Sequence, residues 1–555
     1  MNEPTQTSGQ PLQQPETPPK PGFCRRLFSL RPLKFCFVAA VALAVLVVVF
    51  YNEEKFRGYL AWKNYRQKLE RMGYGFDVKS VQYPPTPPEK NLAHLPIFAP
   101  LLDATRKNKV ADIPGYNEFS KKFHAPRETL NKLGYEDLWE VAGNWRISKT
   151  PDWNSKIRVK KGNQETINQP LPPEKAAEML LDVIRQTLGP DMDVLQEEIK
   201  LRPVCDFEVN LNSPDSFPII GTCLSPLIQL ALAAAIRAEA ELALRQSDAG
   251  WRDTKFGLEL VDSIKNGPFI IDMFYFFIEI AMRQNALNPL WYGLATRQWN
   301  EAQIAELQAL LEGRNYFEAA HRVLNKERIL FNSYTFQSII RTIQENQKYA
   351  RSIRKDYIDT PDETTFFERV AIWSYPQGWF YFEKLNYQRF YVEKVLPQFP
   401  TNQAWVDLKQ CNEHFEQVEK QLSSEGLIRT IFGHTIFLKL AHTSLRRIML
   451  ETARHQASIN LAITACALER YRIANGKYPQ QLQDLTPRYI ARLPVDPVNG
   501  KPLIYRLNDD GSFILYSVGS NGVDDGWLVV SPEDSRKWDL ESDWVWKYPS
   551  AQTNL

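Results

Sequence analysis

SPLIQLALAAAIRAEAELALRQ, residues 225–246, is the stretch on which the fold turns. It is dense in alanine and leucine, the residues that lose least on entering a helix, and it is too long for a strand. Ser247-Asp248-Ala249-Gly250 then supplies turn chemistry, and a second helix is expected through Ile264, so the pair reads as a helical hairpin. The same signals recur on both sides. Pro172 and Pro173 open a helix that runs to Leu188 and is stopped by Gly189-Pro190. Residues 267–282, GPFIIDMFYFFIEIAM, carry Asp272 and Glu279 inside the apolar run, which predicts a buried core helix and not a membrane span. Asn300 followed by Gln303 has capping-box spacing for a helix to Leu311. Further helices are expected at 315–329, 335–355, 386–395, 404–422 and 427–474, stacked as hairpins without a fixed-period repeat. Residues 90–170 are mixed, with short strands expected around Leu138–Ser148 and Lys156–Lys161.

The 555 residues are 44% apolar and 24% charged, the composition of an ordinary globular protein of several folded units. Sixty-seven basic against 65 acidic residues leave a net charge of +2, so nothing in the global charge recruits nucleic acid. Six cysteines are too few for a disulfide scaffold. Cys205 and Cys223 are either bridged or buried as separate thiols, and Cys411 and Cys466 are expected as buried thiols.

Phe35 to Tyr51, FCFVAAVALAVLVVVFY, is 17 residues without a charge, which spans about 25 Å as a helix. Its Ala-x-Ala triplets lie in mid-run and not at its end, which favours an uncut anchor over a cleaved signal peptide. Five basic and two acidic residues precede it, and a second basic flank follows from Lys55 to Arg71. With some 500 residues after the span, the expected topology is single-pass, N-terminus cytoplasmic and bulk outside. Residues 1–32 hold seven prolines among Gln, Thr and Ser, a tail expected to be disordered. Residues 53–72 alternate apolar and charged groups at helical spacing, so the span continues or restarts as a juxtamembrane helix that ends at Gly73 and Gly75; YPPTPPE, 83–89, is a stiff extended spacer.

None of the seven histidines has the i, i+4 spacing of a zinc-binding HExxH, and no GxSxG, P-loop or GxGxxG occurs, so each histidine reads as a surface or structural one. Nine aromatics lie between Trp373 and Tyr391, around the turn Pro376–Gly378. They can form a stacking platform, a patch at the membrane interface, or part of the helical core.

Residues 468–527 are a helix ending at a left-handed cap on Asn475-Gly476, a short helix from Gln480, turns at Asp496-Pro497 and Asn499-Gly500, and a hairpin of Leu503–Leu507 and Ser512–Ser517. Leu468, Tyr471, Asn475-Gly476, Tyr478-Pro479, Leu482, Leu485, Pro494, Asp496-Pro497, Gly500, Pro502, Tyr505 and the Tyr516-Ser517-x-Gly519-x-x-Gly522 end come in an order that resembles the globular domain of type II secretion major pseudopilins. The resemblance covers 60 of 555 residues and implies a small α+β module. It also implies calcium in the loop after the last strand, with Asp524, Asp525 and Asp543 as the oxygen ligands; the alternative is that Asp524-Asp525-Gly526 is a polar turn. A pilin subunit begins with a processed leader and an assembly helix bearing a glutamate near its start; here the span has no such glutamate and lies some 400 residues from the module, which argues against assembly into a fibre. The remainder, including YPPTPPEKNLAHLPIF and the Trp544-Val545-Trp546-Lys547-Tyr548 ending, resembles uncharacterised membrane-anchored proteins of planctomycetes and verrucomicrobia.

The expected architecture is mainly α: a tail (1–32), a transmembrane helix (33–51), a juxtamembrane helix (52–82), a mixed segment (83–171), a helical domain (172–455) and the pseudopilin-like module with its tail (456–555). The expected role is non-enzymatic: a bacterial inner-membrane protein with its bulk in the periplasm, binding membrane and envelope proteins as a scaffold beside a secretion system. An exported hydrolase with an active site gathered from distant segments is the alternative.

Overall fold

The computed structural model describes residues 30–76, 85–107, 116–133, 158–161, 164–167, 172–208, 216–265, 272–331, 378–424, 426–441, 445–527 and 543–548, with Tyr135, Trp139 and Pro376. The chain is mostly helical with a small three-stranded sheet, and it divides into two compact units.

The first unit holds the N-terminal part of α1 (Leu30–Arg71) and residues 378–382. Span and juxtamembrane segment are one 42-residue helix, so the continuation, and not a restart, is what forms. Every side chain from Phe35 to Phe50 is exposed, whereas Glu54, Gly58, Trp62, Tyr65 and Leu69 form a buried stripe at helical spacing. Gly73, at φ +87°, ends the helix: its N–H returns to Glu70 and that of Tyr74 to Leu69, which satisfies the last carbonyls.

The second unit is built on the predicted hairpin. α6 (Ser216–Ala243) and α7 (Ser247–Lys265) pack along each other and against α8 (Asp272–Ala295). The turn is Leu244–Gln246, one step earlier than expected, and Ser247–Gly250 is the first helical turn. Arg245, at φ 59°, takes the left-handed position, with its N–H on Leu242 and that of Gln246 on Glu241. Small residues bring the helices close: Gly257 faces Ala234 and Ala286, and a Cβ on Gly250 would fall 2.7 Å from Leu242. A second apolar helix long enough for a membrane, Cys223–Ala243, is thus 78% covered and forms core. Upstream, α2 (Ala99–Lys107), α3 (Tyr116–Leu133), α4 (Pro173–Thr187) and α5 (Gly189–Glu198) join this core. Asn91 clips residues 88–98 onto the strand-like 204–208, accepting from Asp206 N and donating to Asp206 O. β1 (Arg158–Lys161) pairs antiparallel with β2 (Gln164–Ile167); the expected strand at 138–148 lies outside the described residues.

Beyond α8, the Asn300–Gln303 capping box forms as predicted and opens α9 (Glu301–Leu311), followed by α10 (Tyr316–Leu330). The helix expected at 335–355 lies outside the described residues. α11 (Trp379–Phe390) begins seven residues earlier than 386, and α12 spans Leu408–Ser424. The single helix expected over 427–474 is three: α13 (Leu427–Phe432), α14 (Ile436–Ala441) and α15 (Leu445–Asn475). Gly433 and His434, the latter at φ 55°, break the first two apart. The expected domain boundary at 455/456 falls inside α15, which is buried along most of its length.

The predicted C-cap forms at Gly476, and the predicted hairpin is β3 (Ile504–Leu507) with β4 (Phe513–Ser517). A third strand, β5 (Trp544–Lys547), pairs antiparallel with β4 and places Trp546 opposite Leu515. Asp496, buried among them, accepts from Val498 N, Ser517 Oγ and Val518 N at 3.1, 2.8 and 2.9 Å, and so ties the turn to the sheet. Replacing it by alanine orphans those donors, at about 1–3 kcal/mol each before relaxation. We expect Asp496→Ala to lower the urea midpoint of the detergent-solubilised protein by an amount equivalent to about 2–4 kcal/mol, and Asp496→Asn by less. Equal midpoints for D496A and the parent would show the turn is held by other contacts.

Candidate functional site

α8 carries Glu279 and Arg283 one turn apart, on the face that meets α10 and α15. Arg283 is completely buried, and a guanidinium cannot shed its charge, so its surroundings must supply compensation. Its Nη2 donates to Asp262 Oδ1 of α7 at 2.7 Å and to Glu279 Oε1 at 3.3 Å. Arg314 donates to the other Asp262 oxygen at 2.5 Å, and the Tyr316 hydroxyl donates to Glu279 Oε1 at 3.1 Å. Two arginines thus balance two carboxylates. Burial alone would raise the Asp262 carboxyl, but Arg283 and Arg314 bring it below its ordinary value. Burial raises the Tyr316 hydroxyl, which stays protonated and remains a donor.

Around this quartet lie further polar side chains. Gln284 Nε2 is 2.8 Å from His455 Nδ1 and 3.0 Å from Ser458 Oγ, and the Tyr316 and His455 rings meet edge to face at 4.1 Å. Tyr316 N donates to Gln456 Oε1, Gln456 Nε2 to Asn460 Oδ1, and Asn460 Nδ2 to the Val495 carbonyl. Arg283 Nε and Nη1 and Gln284 Oε1 are buried without a hydrogen-bond partner among the described residues. Chemically, the centre is a charge-balanced clamp across α7, α8, α10 and α15 whose spare Arg283 N–H groups can donate to an oxygen. His455 is here a structural histidine, as expected of every histidine.

A second buried cluster joins α5, α6 and α7. Arg237 grips Asp253 with Nε and with Nη2 at 2.6 Å, and Gln196 also donates to Asp253. Glu241, one turn after Arg237, is pushed up to about 8 by burial and then by the Asp253 charge, so it is mostly protonated at neutral pH. Neither cluster stands out as a site in the sequence, although Glu279 reads there as a charge inside a buried core helix. The available signal was Arg237-x-x-x-Glu241 and Glu279-x-x-x-Arg283, i, i+4 pairs inside otherwise apolar runs.

Cys205 and Cys223 are free buried thiols, as are Cys411 and Cys466. Cys205 and Cys223 are therefore separate thiols and not a bridge; burial pushes the Cys223 thiol up to about 12 and raises that of Cys205, which makes both poor nucleophiles. Asp524 accepts from the Tyr516 hydroxyl at 2.8 Å and from Gly526 N, and it faces Arg506. Asp525 accepts from Asn521 at 2.7 Å. Asp543 is buried, accepts from Trp527 N at 2.7 Å through one oxygen, and its other oxygen has no hydrogen-bond partner among the described residues. Burial raises Asp543 to about 6, with Asp525 and Asp524 adding like charge. The three carboxylates therefore sense one another. Among the described residues no group of three or more His, Cys, Asp or Glu side chains is placed so as to hold a metal ion.

Of the nine aromatics, Trp373 and Tyr375 lie outside the described residues. Trp379 and Phe380 are buried in the first unit, and Tyr387, Phe390 and Tyr391 are buried in the second.

No family model matches the sequence, and comparisons with curated proteins and with solved structures likewise return no match.

Two predictions follow from these geometries. Arg283→Met strands Glu279 and half of Asp262 in the interior, so we expect a loss of about 3–5 kcal/mol in chemical denaturation. The double variant Arg283→Met with Glu279→Gln should recover most of it; a double variant as unstable as the single one would refute the charge clamp. Asp543, with a raised folded value, favours the fold below about pH 4 and loses that contribution as pH rises through 6. Allowing for screening, Asp543→Asn should therefore gain about 1–2 kcal/mol at pH 7.5 and nothing at pH 4. A loss of stability at pH 7.5 would show that the ionised carboxylate is required.

Proposed function

We propose that the protein is a single-span anchor for a helical body that binds other envelope proteins, in a scaffolding or assembly role, with its N-terminus in the cytoplasm of a bacterium and its bulk in the periplasm. The observation that carries this reading is α1. Its first half exposes an unbroken apolar surface from Phe35 to Phe50, and the same helix then acquires a buried polar-edged stripe without interruption, a helix built for two solvents. The basic residues before the span and the mass of chain after it support the orientation. The pseudopilin-like order of motifs from Leu468 to Gly522 supports a place beside a secretion system, and the protein-binding role rests on the apolar groups left exposed near that module's end, Val523 at 55% and Trp527 at 40%.

The hydrolase reading finds its best support in Glu241, whose carboxyl burial pushes up to about 8, beside Asp253 in the Arg237 cluster, since acid–base chemistry uses carboxyls tuned in this way. Both side chains are sealed from solvent, at 6% and 3% exposure, which ranks it second.

The expected outcome in a bacterial host is that the full chain resists carbonate extraction, that deletion of 35–51 releases it, and that alkaline phosphatase fused after Leu555 is active while a green fluorescent fusion is dark. A photo-crosslinking residue at Val523 or Trp527 should give a discrete heavier species in native membranes, and one at exposed Lys501 should not. A bright fluorescent fusion would overturn the topology, and equal crosslinking at Lys501 would overturn the binding face.

A further inference from the structure

The first unit pairs two segments that are more than 300 residues apart in the chain. The Trp379 indole N–H donates to Glu54 Oε2 at 2.8 Å, while Arg57 donates to the other Glu54 oxygen at 2.6 Å, so this buried carboxylate is paired on both sides. The Trp379 ring meets Phe50 edge to face, with centroids 6.4 Å apart. Tyr381 meets Tyr59 in the same way at 5.8 Å. The backbones touch: a Cβ on Gly378 would fall 2.4 Å from Glu54 C, and one on Gly58 would fall 2.3 Å from Gly378 O. Glycine at both positions is therefore what allows the approach.

Where this contact sits along α1 is informative. The uncharged run ends at Tyr51, so Phe50 is the last turn of the span and Glu54 the first buried group beyond it. Four residues of helix separate them, a rise of about 6 Å, which is close to the roughly 5–7 Å by which the polar layer extends each side of the hydrocarbon core. Trp379 bridges that interval, with its ring on an apolar partner and its N–H on a carboxylate, the amphipathic placement that enriches tryptophan and tyrosine at membrane interfaces. Phe50 and Tyr59 remain 42% and 45% exposed, so both rings keep an outward apolar surface beside the contact.

We propose that residues 378–382 and the exit turn of α1 form an aromatic collar seated in the lipid headgroup layer, so that the chain meets the bilayer a second time at the Trp379 turn instead of hanging from the span alone. Its occupant is the bilayer interface itself, continuous with the span, and the basic flank from Lys55 to Arg71 favours a leaflet containing anionic lipid. The proposal rests on the anchor reading of α1.

The test uses the full chain reconstituted in phosphatidylcholine–phosphatidylglycerol vesicles, with a photo-crosslinking residue placed singly at Val45, Tyr59, Tyr381 or Val523 and phospholipid adducts quantified by mass spectrometry. Val45 reports the span, and Val523 is the exposed control. The expected result is lipid adduct at Val45, and at Tyr59 and Tyr381 a yield about fivefold or more above Val523. Gly378→Leu, which removes the close approach, should cut the Tyr381 adduct and leave that at Val45 unchanged. Adduct at Val45 with none above control at Tyr381 overturns the collar and leaves the anchor standing. No adduct at Val45 overturns both. If G378L does not fold, the four positions in the parent sequence decide the matter alone.

Discussion

The interior of the helical body is organised by a charge that cannot be neutralised. Arg283 has no exposed surface, and a buried guanidinium without partners costs several kcal/mol. The molecule meets that cost by bringing Asp262 from α7, Glu279 from its own helix, Tyr316 from α10 and, through Asp262, Arg314 to one point. A charge-balanced set of this kind has few geometries that work. It fixes how α7, α8 and α10 are rotated about their axes, which apolar packing alone leaves loosely specified. Arg237 with Asp253 does the same for α6 and α7 further along the hairpin.

From that centre a line of hydrogen bonds leads into the C-terminal module. Tyr316 passes to Gln456, Gln456 to Asn460, and Asn460 to the carbonyl of Val495, one residue before the aspartate that holds the turn on the sheet. The third strand is fastened from the opposite side, where Trp291 of α8 donates to the Lys547 carbonyl and Arg454 of α15 lies over Trp544. The module therefore shares α15 with the helical body and borrows side chains from it. The sheet and its turn are thus one wall of a larger structure, held as a fixed element of the helical body.

How much of this was readable from the residues depends on the range of the determining interaction. The capping box at Asn300, the left-handed cap at Gly476, the β3–β4 hairpin and the helical character of 225–264 are set within a few residues, and the sequence states them. The turn at Leu244–Gln246 was displaced because Arg245 adopts a left-handed conformation that nothing in its side chain advertises, while Ser247 looked like turn and served as helix start. β5 went unrecognised because Trp544–Lys547 pairs with a strand some 30 residues earlier, and aromatic residues near a chain end carry no register. The buried charge centres were least legible. Arg283, Asp262 and Tyr316 come from three helices, and only the i, i+4 spacing of Glu279 and Arg283 inside an apolar run marked the place.

The same logic applies to α1, whose two halves differ in their surroundings. An α-helix satisfies its backbone groups within the segment whatever surrounds it, so one helix runs unbroken from Leu30 to Arg71 while its side chains pass from an exposed apolar surface to a buried stripe. What must change at the boundary is the compensation of charge. Glu54 is the first acidic side chain beyond the apolar run to be buried, and it is the one given both an arginine on its own helix and an indole from residue 379. Glu53, beside it, is exposed and needs neither. The difference between two neighbouring glutamates locates the place where the exposed apolar half of α1 gives way to its buried stripe.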